Sequence, residues 1–374
     1  MKYNIWNKWD PLEVCMLGNN YAPEFFNGLG TKAEDPLKRI CEETLEDLEG
    51  YKKILQDFGV KVIQPEMDPN ERFLDNPTRY PRGPLQPRDH QLVLGNHCFV
   101  SPGDHAAIQT KLEEYGPLTF PVPQYPHVAS ESHYNTLAGG DYPSYENFLA
   151  NRTNKEYFEE FVWDELLGFS YLHFSSAEMF MLGKKLVIGT NEETQHLTAD
   201  DYVGTTPFDK FEIQVTQMDG HTDGNFHPIK PGAILSLYDV QNYSATFPGW
   251  DVCYLAEENW DKVIPFIKLK RQNAGKWWLA GEEDNAEFTQ FVETWLQDWV
   301  GYVEESVFDV NVLVIDEHHV CVSNPHNELV NTFLKKHNME PVYVPWRHRY
   351  FWDGGLHCIT LDLYRKGTQK DYFK

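Results

Sequence analysis

At 374 residues, with 41% hydrophobic and 14% aromatic residues, the chain has the composition of a folded globular protein, without low-complexity tracts or like-charge blocks long enough for a disordered tail. Its 57 acidic and 32 basic residues give a formal net charge of −25, which repels phosphate backbones and anionic lipid and argues against nucleic acid or a membrane surface as partner. No apolar run approaches the roughly 20 residues needed to span a bilayer, and the start Met1-Lys2-Tyr3-Asn4-Ile5-Trp6-Asn7-Lys8 lacks an apolar core of signal-peptide length, so a soluble, cytoplasmic protein is expected. Six scattered cysteines (15, 41, 98, 253, 321 and 358), with no Cys-x-x-Cys pair, fit reduced thiols better than a zinc knuckle or a disulfide framework.

The predicted elements repeat along the chain. Leu12-Glu13-Val14-Cys15-Met16-Leu17-Gly18 reads as a strand. Leu37, Ile40, Cys41, Leu45, Leu48, Tyr51, Ile54, Leu55 and Phe58 then recur at mostly three- and four-residue steps, predicting an amphipathic helix that stops at Gly59, with a strand at Val60-Lys61-Val62-Ile63. From Asp89 to Ser101 two apolar runs flank Gly95-Asn96, and from Glu178 to Gly189 two more flank Gly183-Lys184-Lys185; both read as hairpins. A looser copy begins at Asp223, with its second strand at Ala233-Ile234-Leu235-Ser236, and a further copy spans Asn311 to Ser323. Leu329, Val330, Phe333 and Leu334 then predict a helix before a strand at Pro341-Val342-Tyr343-Val344. The strand after Cys358 would complete the N-terminal unit. An α/β module of hairpin, helix and strand thus occurs about five times. Modules set around an axis would gather the polar residues at their heads, Asp89, Glu178, Asp223 and Asn311, near Cys358.

Those residue types carry chemistry. In Asp353-Gly354-Gly355-Leu356-His357-Cys358 the glycines permit close approach of a ligand or unusual backbone, and a strand behind would hold the sulfur rigidly; the alternative is an inert buried thiol. His221 and Asp223 lie two apart, on one side of an extended backbone, so an imidazole that titrates near neutrality would stand beside a carboxylate; a polar surface turn is the alternative. His227, followed by Pro228, is a weaker candidate. Arg88 and Asp89 stand at a strand entry, where an aspartate often only caps a turn. Carboxylates around a cysteine and a histidine suit a planar guanidinium, whose donors match carboxylate acceptors and whose charge favours a thiolate.

Taken in order, these segments resemble the arginine:glycine amidinotransferase family of the guanidine-modifying enzyme superfamily. Pro87-Arg88-Asp89 with Leu92-Val93-Leu94-Gly95-Asn96 is similar to its first acidic motif, and His221-Thr222-Asp223 with Pro231-Gly232-Ala233-Ile234-Leu235-Ser236 to its histidine motif. Gly354-Gly355-Leu356-His357-Cys358, running through Asp362, Arg365-Lys366-Gly367-Thr368 and Tyr372, is similar to its nucleophile motif. The resemblance implies a five-bladed α/β propeller with pseudo-fivefold symmetry, the pentein fold, as a single domain over 1–374 with an added segment around 251–300. It further implies transfer of the amidino group of arginine, or a related guanidine, to a primary amine through an amidino-cysteine on Cys358, with His221 moving protons. Asp89 and Asp223 would hold the guanidinium, with Arg88 and Asn311 as further substrate contacts. No metal or organic cofactor is implied, and the partners are small molecules, with a homo-oligomer left open. A hydrolase of the same superfamily and a non-catalytic guanidine-binding relative are the competing readings.

Departures from the family pattern are specific. Phe174-Ser175-Ser176-Ala177-Glu178 has Ser175 where the family has the acid that assists the histidine, so either Glu178 supplies that charge through its longer side chain or the proton relay is weaker than in typical members, with Asp141 a distant alternative. Val240 falls where an arginine binds the donor carboxylate, and Glu304-Glu305 where paired serines are expected. Trp260, Trp277, Trp278 and Trp295 mark the added segment, read as an extra packed helix.

Overall fold

The computed structural model describes residues 2–78, 80–89, 91–100, 105–119, 144–147, 176–190, 199–202, 207–217, 221–240, 242–255, 278–300 and 309–373. Ser175, Asp141, Glu304, Glu305, Trp260 and Trp277, all singled out from the sequence, lie outside these residues. Among the described residues the strands fall into five small sheets. The first joins β1 (Leu12–Leu17) and β2 (Lys61–Ile63) to the last strand of the chain. The second is β3 (Gln91–Leu94) with β4 (His97–Val100), and the third β5 (Met179–Leu182), β6 (Lys185–Thr190) and β7 (Glu212–Gln217). The fourth holds β8 (Phe226–Lys230), β9 (Ala233–Ser236) and β10 (Asp251–Tyr254), and the fifth β11 (Leu313–Val314), β12 (His319–Val322) and β13 (Glu340–Tyr343). The closing strand of the first sheet is β14 (Thr360–Arg365).

One pairing rule governs all five. The first strand of each unit runs antiparallel to the second, and the second pairs parallel with a third. In the β3–β4 unit the third place is taken by a single parallel bridge between Phe99 and Thr119. A parallel return needs a crossover, which helices supply. Helix α1 (Glu34–Asp57) lies between β1 and β2, and α2 (Ala106–Tyr115) between β4 and Thr119. The 3.6-residue spacing explains why α1 forms: Leu37, Ile40, Cys41, Thr44, Leu48, Tyr51 and Leu55 are buried along one face, and Gly59, at φ 83°, takes the left-handed turn that ends it. Gly95 and Gly183 have positive φ at the tips of their hairpins, and a Cβ at Gly183 would also run into the Lys370 carbonyl and the Tyr372 ring. The β5–β6 hairpin is thereby keyed to the C-terminal tail, whose Lys370 carbonyl accepts from the Lys184 N–H at 2.9 Å.

Two local differences from the sequence reading have physical causes. The unit expected to start as extended chain at Asp223 instead opens with one helical turn, α3 (Thr222–Asn225), and its strand begins at Phe226. In the Asn311 copy the first strand contracts to two residues because Asp316 folds back, accepting from the His318 and His319 N–H groups at 2.8 and 2.9 Å. The described part of the tryptophan-rich segment is a packed helix, α4 (Ala286–Trp295), whose Phe288 and Val292 join the core beside Trp278 and Trp299. Helix α5 (Glu328–Lys336) is capped by Asn327, which accepts from the Val330 N–H at 3.1 Å, and precedes β13 as the repeat requires.

Beneath the sheets runs a buried ion array. Asp362 on β14 accepts from Arg88 at 2.9 Å and from Arg365 at 2.8 Å, with all three side chains essentially inaccessible. Arg88 also donates to the His357 carbonyl at 2.7 Å, and Arg365 donates to the Asp10 and Val314 carbonyls, each at 2.7 Å. Burial alone would raise the Asp362 carboxyl, but Arg365, Arg88 and Lys8 together hold it far below the usual carboxylate range. Asp362→Ala should therefore cost about 3–5 kcal/mol in denaturant unfolding, since it leaves two buried guanidinium groups uncompensated. Because the folded-state value lies below the unfolded one, the contribution is complete above about pH 4 and declines as pH falls, a decline that should be missing from the stability–pH curve of the variant.

Candidate active site

The heads of the repeats meet through backbone bonds. The Ser176 N–H donates to the Gln91 carbonyl at 2.9 Å, and the Asp223 N–H to the Ala177 carbonyl at 3.0 Å, so the entries to β3 and β5 and the α3 turn adjoin. Glu178 is buried one residue beyond Ala177, immediately before β5. Cys358 is fully buried in the turn between α6 (Arg349–Trp352) and β14.

Asn311 fixes that turn. Its Oδ1 accepts from the His357 and Cys358 N–H groups at 2.9 and 3.2 Å, while its Nδ2 donates to the Cys358 sulfur at 2.9 Å. The glycines before Cys358 are needed for approach rather than for unusual φ. A Cβ at Gly355 would stand 2.6 Å from the Asn311 side chain, and one at Gly354 would collide with the Gln86 amide. An amide donor on the sulfur favours its thiolate.

Asp223 completes the cluster. Its Oδ2 lies 3.4 Å from the Cys358 sulfur and 2.7 Å from the Nδ1 of His357. Burial, followed by the charges of Arg88, His227, Lys8 and Arg365, pushes His357 well below the usual imidazole range. The ring is therefore neutral and donates its Nδ1–H to the carboxylate. Beside it lies a buried lysine: Lys8 is lowered to about 7, by burial first and then by Arg88.

His221 sits differently from the sequence reading. It is the residue before the α3 turn, in extended conformation, so the helical turn separates it from Asp223 and the two do not share a strand face. Its ring is about one-third exposed, with Nδ1 3.9 Å from Asp89 Oδ1, whereas Asp223 is wholly buried. Asp89 also receives a bond from Arg82 at 3.2 Å. Arg88, expected to touch substrate, is instead inside the ion array, bonded to Asp362 and the His357 carbonyl, because an unpaired interior guanidinium would be too costly. His227 is buried, with its ring edge-on to His357 at 4.7 Å. Val240 is half-buried against the apolar core of the fourth and fifth sheets. The residues that sequence reasoning missed are His357 and Lys8. Only the position of His357 next to Cys358, in the segment that carries the nucleophile, could have signalled it.

No family model matches the sequence. The chain is 22% identical to the mitochondrial glycine amidinotransferase of Xenopus laevis, over 99% of this chain and 84% of that protein. It is 21% identical to the L-arginine:L-lysine amidinotransferase of Pseudomonas savastanoi pv. phaseolicola, over 90% of this chain and 82% of that one. Among solved structures, SxtG, an amidinotransferase of saxitoxin biosynthesis from Microseira wollei, superposes with a TM-score of 0.61 at 20% identity, covering 100% of both chains. The chain has the amidinotransferase fold. The inosamine-phosphate amidinotransferase StrB1 of Streptomyces griseus agrees, with a TM-score of 0.58 at 17% identity over 100% of this chain and 99% of that one. Resemblance to amidinotransferases therefore extends through nearly the whole sequence and includes the segments that carry Asp89, His221, Asp223 and Cys358. Among the described residues, no helix is long and apolar enough to cross a membrane.

The thiols should differ sharply in reactivity. Burial pushes Cys41, Cys98 and Cys321 up to about 12 and Cys15 higher still, outweighing the donors and cations beside them. Iodoacetamide at neutral pH should alkylate Cys358 first, as read by peptide mass mapping. Asn311→Ala should slow that alkylation about tenfold or more through loss of the donor to sulfur.

Proposed function

We propose that the protein is an amidinotransferase that moves the amidino group of arginine, or a related guanidine, to a primary amine. The observation that carries this is the Cys358 sulfur held at 2.9 Å from the Asn311 amide and 3.4 Å from the Asp223 carboxylate. That site offers a nucleophile and an anion to the same ligand. A guanidinium satisfies both, since its N–H groups suit carboxylates and its electron-poor carbon suits sulfur.

In the proposed reaction Asp89 and Asp223 hold the guanidinium nitrogens, and the Cys358 thiolate attacks the guanidinium carbon to form a carbon–sulfur bond. The bond from carbon to the donor's alkyl-bearing nitrogen then breaks, and His221 protonates the departing amine. The acceptor amine gives a proton to His221 as it attacks the amidino carbon, and the carbon–sulfur bond breaks to return the thiolate. Glu178 takes the place of the acid absent at Ser175. Asn311 steadies the sulfur, while Arg88 supports the site from below rather than binding substrate. Val240, half-buried against the core, offers no charge to a donor carboxylate, which supports including guanidines other than arginine among the donors.

The five sheets with one pairing rule support reading 1–374 as one domain, a five-bladed propeller with pseudo-fivefold symmetry and an added segment around 251–300. The free cysteines fit a reducing, cytoplasmic setting.

With labelled arginine and a panel of primary amines, the purified protein should give ornithine and a guanidino product in equal amounts, with ping-pong kinetics. Cys358→Ala should abolish turnover, and Asp223→Asn should lower kcat/KM about 100-fold or more. Citrulline or urea formed without an amine would instead identify a hydrolase.

A further inference from the structure

We propose that His357 is a positioning residue: its Nδ1–H anchors the Asp223 carboxylate in the place from which that carboxylate serves a guanidinium beside Cys358. The inference rests on the amidinotransferase reading and assigns a role to a side chain that the reaction above does not use.

Three observations converge on it. First, one oxygen, Asp223 Oδ2, meets both members of the His357-Cys358 dipeptide, the imidazole at 2.7 Å and the sulfur at 3.4 Å. Carboxylate and thiol are thus registered to each other through a single peptide unit. Second, that unit is immobilised. Asn311 Oδ1 holds both of its N–H groups, Arg88 holds the His357 carbonyl at 2.7 Å, and the imidazole is stacked on Phe180 at 5.7 Å with His227 edge-on at 4.7 Å. Third, the bond to Asp223 is the ring's polar contact: among the described residues His357 Nε2 is buried with no hydrogen-bond partner. A ring serving only to pack against Phe180 would be a phenyl, with no desolvated nitrogen. The charged and titratable groups that face the ring are Asp223 from the α3 turn, Arg88 from the entry to β3, His227 from β8, Lys8 from the N-terminal segment and Arg365 from β14. Burial first, and then Arg88, His227, Lys8 and Arg365, disfavour an imidazolium, so the ring keeps one proton and donates it in a hydrogen bond to Asp223.

The consequence is directional. A neutral donor on the carboxylate stabilises its charged form without placing a full positive charge that would compete with an incoming guanidinium. Removing the donor leaves the carboxylate easier to protonate and less firmly held beside the sulfur. Donor binding should then weaken, and the protonation that ends activity in acid should occur at higher pH.

The test uses the full-length protein with His357→Phe, which keeps the ring and loses the donor, and His357→Asn, which keeps a donor near the position of Nδ1. Expected for His357→Phe is at least a tenfold rise in KM for the guanidine donor and an upward move of the acid limb of kcat/KM measured across about pH 5 to 9. His357→Asn should recover most of both. A His357→Phe enzyme that loses thermal stability or kcat but keeps the wild-type KM and acid limb would overturn the proposal, as would His357→Asn performing no better than His357→Phe. Should wild type transfer to no amine, the functional reading fails separately; arginine affinity, measured by calorimetry in a Cys358→Ala background, then decides the role of His357 by the same tenfold criterion. If His357→Phe does not fold, the low-field imidazole N–H proton of wild type supplies the readout. It should shift when arginine saturates the site, and an unmoved resonance at saturation would overturn the proposal.

Discussion

Everything near the thiol depends on burying Asp362 with its two arginines. Asp362 sits on the strand that follows Cys358, and the arginines that neutralise it reach out to other units: Arg88 from the entry to the second sheet, and Arg365 to carbonyls at Asp10 and Val314. A carboxylate among cations in a low-dielectric interior tolerates little displacement, because separating the charges exposes the desolvation cost of each. The array therefore fixes the floor of the site. Through the bond from Arg88 to the His357 carbonyl, that floor extends to the peptide bearing the nucleophile.

Above this floor the site faces an electrostatic conflict. The Cys358 thiol donates to Asp223 Oδ2 at 3.4 Å, and a thiolate in its place would form a like-charge pair with that carboxylate. Asn311 offsets part of that repulsion with a direct donor, and the neutral imidazole of His357 draws density from the carboxylate. What remains is relieved by a cation placed between them. In the proposed reaction a guanidinium would do this while presenting its carbon to the sulfur, which is the physical reason for proposing a cationic, planar ligand. The net charge of −25 contributes only a long-range bias in the same direction.

The repeat was legible in the sequence because its signals are local. Alternating apolar runs around Gly95-Asn96 and Gly183-Lys184 become the β3–β4 and β5–β6 hairpins, and the helical spacing from Leu37 to Leu55 becomes α1. What was not legible depends on partners far away in the chain. Asp223 looked like extended backbone, but the four residues of α3 are held by tertiary bonds such as the one from the Asp223 N–H to the Ala177 carbonyl, not by helical propensity. Arg88 looked like a ligand contact beside Asp89; its partner, Asp362, lies 274 residues later. His357 was hidden by its neighbour, since a Gly-Gly-Leu-His-Cys segment draws attention to sulfur, and only the fold reveals that the imidazole points at Asp223. Lys8, in a segment that read as an ordinary polar start, carries no local sign of burial.

The claim at the centre is that the Cys358 sulfur itself carries the amidino group between donor and acceptor. Rapid acid quenching of the enzyme mixed with arginine alone, followed by peptide mass mapping, tests this most directly. The account predicts ornithine release in step with one amidino adduct on the Cys358 peptide, discharged when an acceptor amine is added before quenching. Amidino transfer proceeding with no adduct on Cys358, or with the adduct on another residue, would contradict it.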